Sequence, residues 1–176
     1  LLQVLIPFVP PGHHAASCAT LGLAFNRHHS VQYAIRKLFQ STGFDTSTSL
    51  LRYYPKLHSA RAARGKGRYV PDLKITDYPR QGRDLIIDFV ITHPCSASRT
   101  RGAPGLALAY SSIPRTAAYD ADTSKKNRLA KHIRATRTES GAGPPPNSTF
   151  IPFSFETYGG TTRAVTRIIR DVFNLW

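Results

Sequence analysis

The chain has 176 residues, with 24 Lys and Arg against 10 Asp and Glu, which leaves room for one ordinary domain and gives it a net charge of +14. Two cysteines cannot make a disulfide framework. The longest apolar stretch, Leu1 to Pro11, is broken by Gln3 and prolines and is far short of the roughly 20 residues of a membrane span. A membrane protein and a secreted scaffold are both disfavoured, and a chain without Met reads as a piece of something longer.

Taken in chain order, Ser30 to Thr42 is a predicted amphipathic helix, with Val31, Ile35, Leu38 and Phe39 on one face, Ser30 as N-cap and Gly43 as the stop. Arg52, Lys56, Arg61, Arg64, Lys66 and Arg68 follow as a cationic run with no carboxylate among them. Such a run reads either as a solvated basic loop or as a surface for a polyanion, where each neutralised phosphate releases a counterion. Tyr69 to Thr76 and Leu85 to Thr92 are predicted strands, joined through a turn at residues 78–82 as an antiparallel hairpin. Residues 95–114 are irregular. Thr116 to Arg134 is a predicted helix, 140–148 a loop, and Phe150 to Phe155 a third strand. Gly159 and Gly160 turn the chain into a last helix whose stripe of Val165, Ile168, Ile169, Val172, Phe173 and Trp176 is core. The order gives an α/β or α+β sandwich of helices on a small sheet.

With ten carboxylates in the chain, each can be weighed. Asp88 lies inside the apolar run Leu85 to Ile91, where a carboxylate needs a cation, hydrogen-bond donors or a raised pKa to offset desolvation. Asp72 follows Pro71 on the preceding strand, and hairpin pairing can bring it beside Asp88. Two converging carboxylates suit a hard divalent cation. The other reading makes Asp72 a turn residue and Asp88 a buried ion-pair partner. Lys125 and Lys126, on the following helix, can point back at the pair or be solvated.

Pro71-Asp72, fifteen residues, Asp88 and an inward Lys resemble the PD-(D/E)XK nuclease pattern. Arg27-His28, Tyr69 to Asp72, Ile87 to Pro94, Ala117 to His132 and Phe150 to Gly160 make the resemblance more specific. Over roughly residues 12 to 175, the chain resembles the restriction-enzyme-like endonuclease domain carried C-terminal to the reverse transcriptase of non-LTR retrotransposons.

The resemblance implies an α/β restriction-endonuclease-like core, a small mixed sheet flanked by helices, over residues 19–176, preceded by a remnant at 1–18 of an upstream His/Cys knuckle. It further implies Mg²⁺ (or Mn²⁺) at Asp72 and Asp88, and a catalytic Lys125 or Lys126, because Val90 occupies the usual Lys position. The partner would be DNA or RNA, gripped by the 52–68 run, in a nuclear polypeptide with a reverse transcriptase upstream. His13 and Cys18, with four residues between them, match half of the knuckle; two ligands do not close a structural zinc site, so zinc is not expected in this chain alone. Asp45 is the nearest match to an upstream acid. His93 either touches phosphate or caps the strand end, and Glu156 either approaches the site or faces solvent.

Overall fold

The computed structural model describes residues 23–48, 71–93, 115–137, 147–157 and 159–175. Helix α1 runs Leu23–Ser41, followed by a two-residue strand β1, Thr46–Ser47. Strands β2 (Leu73–Ile75) and β3 (Asp84–Thr92) lead to helix α2 (Thr116–Arg137), strand β4 (Ser148–Glu156) and helix α3 (Arg163–Phe173). Among the described residues the chain is a mixed α/β fold of three helices on one four-stranded sheet, ordered β1-β2-β3-β4. β1 pairs with β2 and β2 with β3 antiparallel, while β3 and β4 are parallel. Parallel neighbours need a long crossover, which α2 supplies.

Each face of β3 meets a different layer. Leu85, Ile87 and Phe89 point into a core with Leu73, Ile75 and Phe153, covered by Ile35 and Phe39 of α1 and Val165, Ile168 and Val172 of α3. The alternate positions, Ile86 and Asp88, are also buried, and this second face is the one α2 covers with Ala117, Ala118, Ala121 and Leu129. A strand buried on both sides reads as a continuous apolar run, as Leu85 to Ile91 does.

Several element bounds differ from the sequence expectation. α1 begins seven residues before Ser30, which is an ordinary helical residue rather than its cap. Residues 24–42 contain neither Gly nor Pro, so nothing stops the helix there, and the polar Arg27-His28-His29 hides its continuation. Gly43 does end it, at φ +87°, with Phe44 N–H donating to Phe39 O at 3.1 Å. Of the strand expected over Tyr69 to Thr76, Leu73–Ile75 is strand, while Tyr69 and Val70 lie outside the described residues. Thr162 caps α3 by accepting from Val165 N–H. No helix among the described residues is long and apolar enough to cross a membrane.

The seating of α2 depends on Glu156, a buried carboxylate whose Oε1 accepts the Ala118 N–H at 3.2 Å in the first turn of the helix. Gly160 folds back over it, its carbonyl accepting from Glu156 N–H at 2.7 Å, and a Cβ at Gly160 would collide with Glu156 Oε2. Gly160→Ala is expected to push that carboxylate off the helix and cost about 1–3 kcal/mol in a urea titration, the range for stranding a buried polar group.

Candidate active site

The β2–β3 register puts Leu73 opposite Ile87 and Lys74 opposite Ile86, so the next step along the ladder brings Asp72 against Asp88. At that point the two strands part. Asp72 N–H still donates to Ile87 O at 2.9 Å, but its carboxylate takes over as acceptor for the Phe89 N–H at 2.7 Å. Asp72 is therefore fixed by two backbone groups of β3. Asp88, 3% exposed, faces α2.

Lys125 closes the group. Its Nζ donates to both Asp88 oxygens, each at 2.8 Å. The helix reaches this register because Ala118, Ala121 and Leu129 pack its inner face on the sheet, and Lys125 lies on the same face. Lys126, one residue further round, is 53% exposed and pairs instead with Asp122 Oδ2 at 2.7 Å. Of the two lysines singled out by the sequence, only Lys125 joins the carboxylates.

Two residues of α1, to which the sequence assigns no role here, complete the site. His28 Nε2 lies 3.2 Å from Asp72 Oδ2, and Gln32 Nε2 donates to the Asp72 carbonyl at 2.9 Å. Their spacing of four continues the buried stripe of Ile35 and Phe39 toward the helix start, so the available signal is a polar extension of an apolar helix face.

Burial raises the Asp72 pKa to about 6, and the neighbouring Asp88 charge pushes the same way. The Phe89 N–H and His28 pull against that rise, and a hydrogen bond with Asp88 adds to it. Two carboxylates this close repel unless a proton or a cation lies between them. Among the described residues no three His, Cys, Asp or Glu side chains form a metal-ligand cluster. The donor set is thus two hard carboxylates, which fits Mg²⁺, an ion commonly held by one or two carboxylates together with water and substrate phosphate.

Three further candidates lie away from this site. Glu156 is neither at the site nor in solvent; it is four residues along β4 from Pro152, the partner of Asp88, or about 13 Å away, at the start of α2. His93 ends β3 with Nδ1 2.7 Å from Thr157 Oγ1, five residues and about 17 Å beyond Asp88. Asp45 is exposed, and its carbonyl accepts from Thr76 N–H. Arg52, Lys56, Arg61, Arg64, Lys66 and Arg68, like His13 and Cys18, fall outside the described residues.

Compared with known protein families and with curated proteins, the sequence matches none.

The asymmetry between the two lysines is measurable. Lys125→Met leaves the buried Asp88 carboxylate without its ammonium and is expected to cost about 3 kcal/mol at neutral pH, whereas Lys126→Met removes an exposed pair and should change stability by less than about 1 kcal/mol. Asp72 binds its proton more tightly folded than unfolded. Stability should therefore fall as pH rises from about 4 through about 6, and Asp72→Asn should remove that component of the pH profile.

Proposed function

We propose that this chain is a metal-dependent endonuclease domain of the type carried by non-LTR retrotransposons, hydrolysing phosphodiester bonds of DNA. The observation that carries the reading is the convergence of Asp72, Asp88 and Lys125 from two strands and the crossover helix. On this reading the four-stranded sheet and its helices are the core of a restriction-endonuclease-like fold, Mg²⁺ (or Mn²⁺) is the cofactor, and a reverse transcriptase portion lies upstream in a nuclear polypeptide. DNA is the favoured partner over RNA.

Each residue then has a task set by its geometry. Asp72 and Asp88 hold the divalent ion, which supplies Lewis-acid chemistry by polarising a phosphate oxygen and making water a stronger acid. Lys125 Nζ, released from Asp88, faces the charge that develops on the phosphate oxygens. His28 and Gln32 keep Asp72 from swinging away, through its carboxylate and its carbonyl respectively. The +14 net charge draws the polyanion in, with residues 52–68 as the grip on its backbone.

A second reading, a nucleic-acid-binding domain that has lost cleavage, draws on one observation: Lys125 satisfies both oxygens of Asp88, as a purely structural ion pair would.

Plasmid nicking with Mg²⁺ or Mn²⁺, with an EDTA control, separates the two. The nuclease requires metal-dependent nicking that falls by at least about 10²-fold in Asp88→Ala and Lys125→Met, stays within a few-fold in Lys126→Met, and leaves DNA binding unchanged. An inert parent chain that binds DNA as well as Asp88→Ala does would establish the binding domain instead.

A further inference from the structure

Away from the carboxylates, Arg115, Arg163, Arg167 and Arg170 line a concave pocket of about 240 Å³ with Thr166. Arg163, Arg167 and Arg170 follow the spacing of one helix stripe, opposite the buried Val165, Ile168 and Val172 of α3. Arg115 joins them from just before α2, where Tyr119 OH accepts the Arg163 N–H and ties the starts of the two helices together.

Stability does not account for this grouping. Arg115 and Arg163 stand at helix N-termini, where the dipole disfavours cations, and neither helix has an acid in its first turn. Glu156 is buried on the Ala118 N–H, and Asp171 meets Arg167 at 3.8 Å on an exposed surface. With Asp120, that sets three carboxylates near the four arginines. Arg115, Arg163 and Arg170 have no side-chain partner among the described residues. Like charges held together at two positive helix ends create a standing potential for an anion.

We infer that this pocket is a second nucleic-acid site, binding the phosphodiester backbone apart from the carboxylate centre. The inference rests on the nucleic-acid reading above but not on cleavage. Arg115 precedes Lys125 by ten residues, about 15 Å along α2, so a backbone seated here is held well away from the Asp88 carboxylate. The stripe from Arg163 to Arg170 runs about 10 Å, enough to follow several consecutive phosphates of one strand. Arginine suits the task because its planar fork meets phosphate with two donors. The site contributes affinity and orientation to the substrate and has no part in the chemical step.

The test is binding of a labelled duplex DNA to the whole chain in EDTA, titrated with KCl. The triple variant Arg115→Gln, Arg163→Gln, Arg170→Gln should lower the slope of log K against log salt by about 2.7, near 0.9 for each phosphate that is no longer neutralised. Arg80→Gln with Arg83→Gln, two exposed arginines of the β2–β3 turn, is the control and should leave the slope at the parent value. Arg163→Gln alone should weaken binding without lowering the melting temperature, since it removes a cation from a helix start. An unchanged slope in the triple variant overturns the site, as does an equal fall per charge in the control. So does a triple variant that loses affinity for poly-glutamate but not for DNA, which would assign the pocket to an acidic peptide. A chain that never nicks plasmid yet shows the slope change sinks the nuclease and leaves this site standing. Unchanged binding with intact nicking does the reverse.

Discussion

Two acids meeting where β2 leaves β3 set the terms for the surrounding structure. Asp72 still donates its N–H to Ile87 O, and beyond that bond its carboxylate, not a backbone carbonyl, accepts the Phe89 N–H. Asp88 cannot leave, because its neighbours along β3 are committed to the core. The resulting concentration of negative charge, largely out of water, has to be answered from other elements. α2 answers with Lys125 and α1 with His28. The helices thus serve two purposes: they cover the faces of the sheet, and they bring the ammonium of Lys125 and the imidazole of His28 to the acid pair.

The second organising element is the parallel step from β3 to β4. It forces a long crossover, and the crossover helix must land in a defined register for Lys125 to face Asp88. Small alanines on the inner face of α2 allow close approach to the sheet, and the Glu156 carboxylate fixes the start of the helix. A slip of one residue would turn the helix by about 100° and present the neutral Ser124, or Lys126, in place of Lys125.

Much of this is legible in the sequence, for identifiable reasons. A Pro-Asp step and an Ile- and Val-rich run either side of a turn define a hairpin, and hairpin register then places Asp72 opposite Asp88. The choice between Lys125 and Lys126 is not legible, because both fit the helix and alanines give little sign of which face is inward. Glu156 reads as a site residue or a solvent-facing one, and it is neither; a carboxylate that caps another element's helix has no local sequence signature. The early start of α1 is hidden because its first turns are polar where they approach Asp72, and a periodicity search takes polarity on the inner face for an end of the helix.

The Lys125 clamp on Asp88 has a thermodynamic consequence. An ammonium already bonded to both oxygens is a resident competitor for any divalent ion, so the ion's net affinity is only its advantage over that amine. The folded chain has an ammonium on Asp88 without metal, and on the proposed reading a metal would gain ground when an arriving phosphate gives the displaced lysine somewhere else to bind. On the nuclease reading proposed above, cation and polyanion would each raise the affinity for the other, and the reactive arrangement would assemble only where both are present.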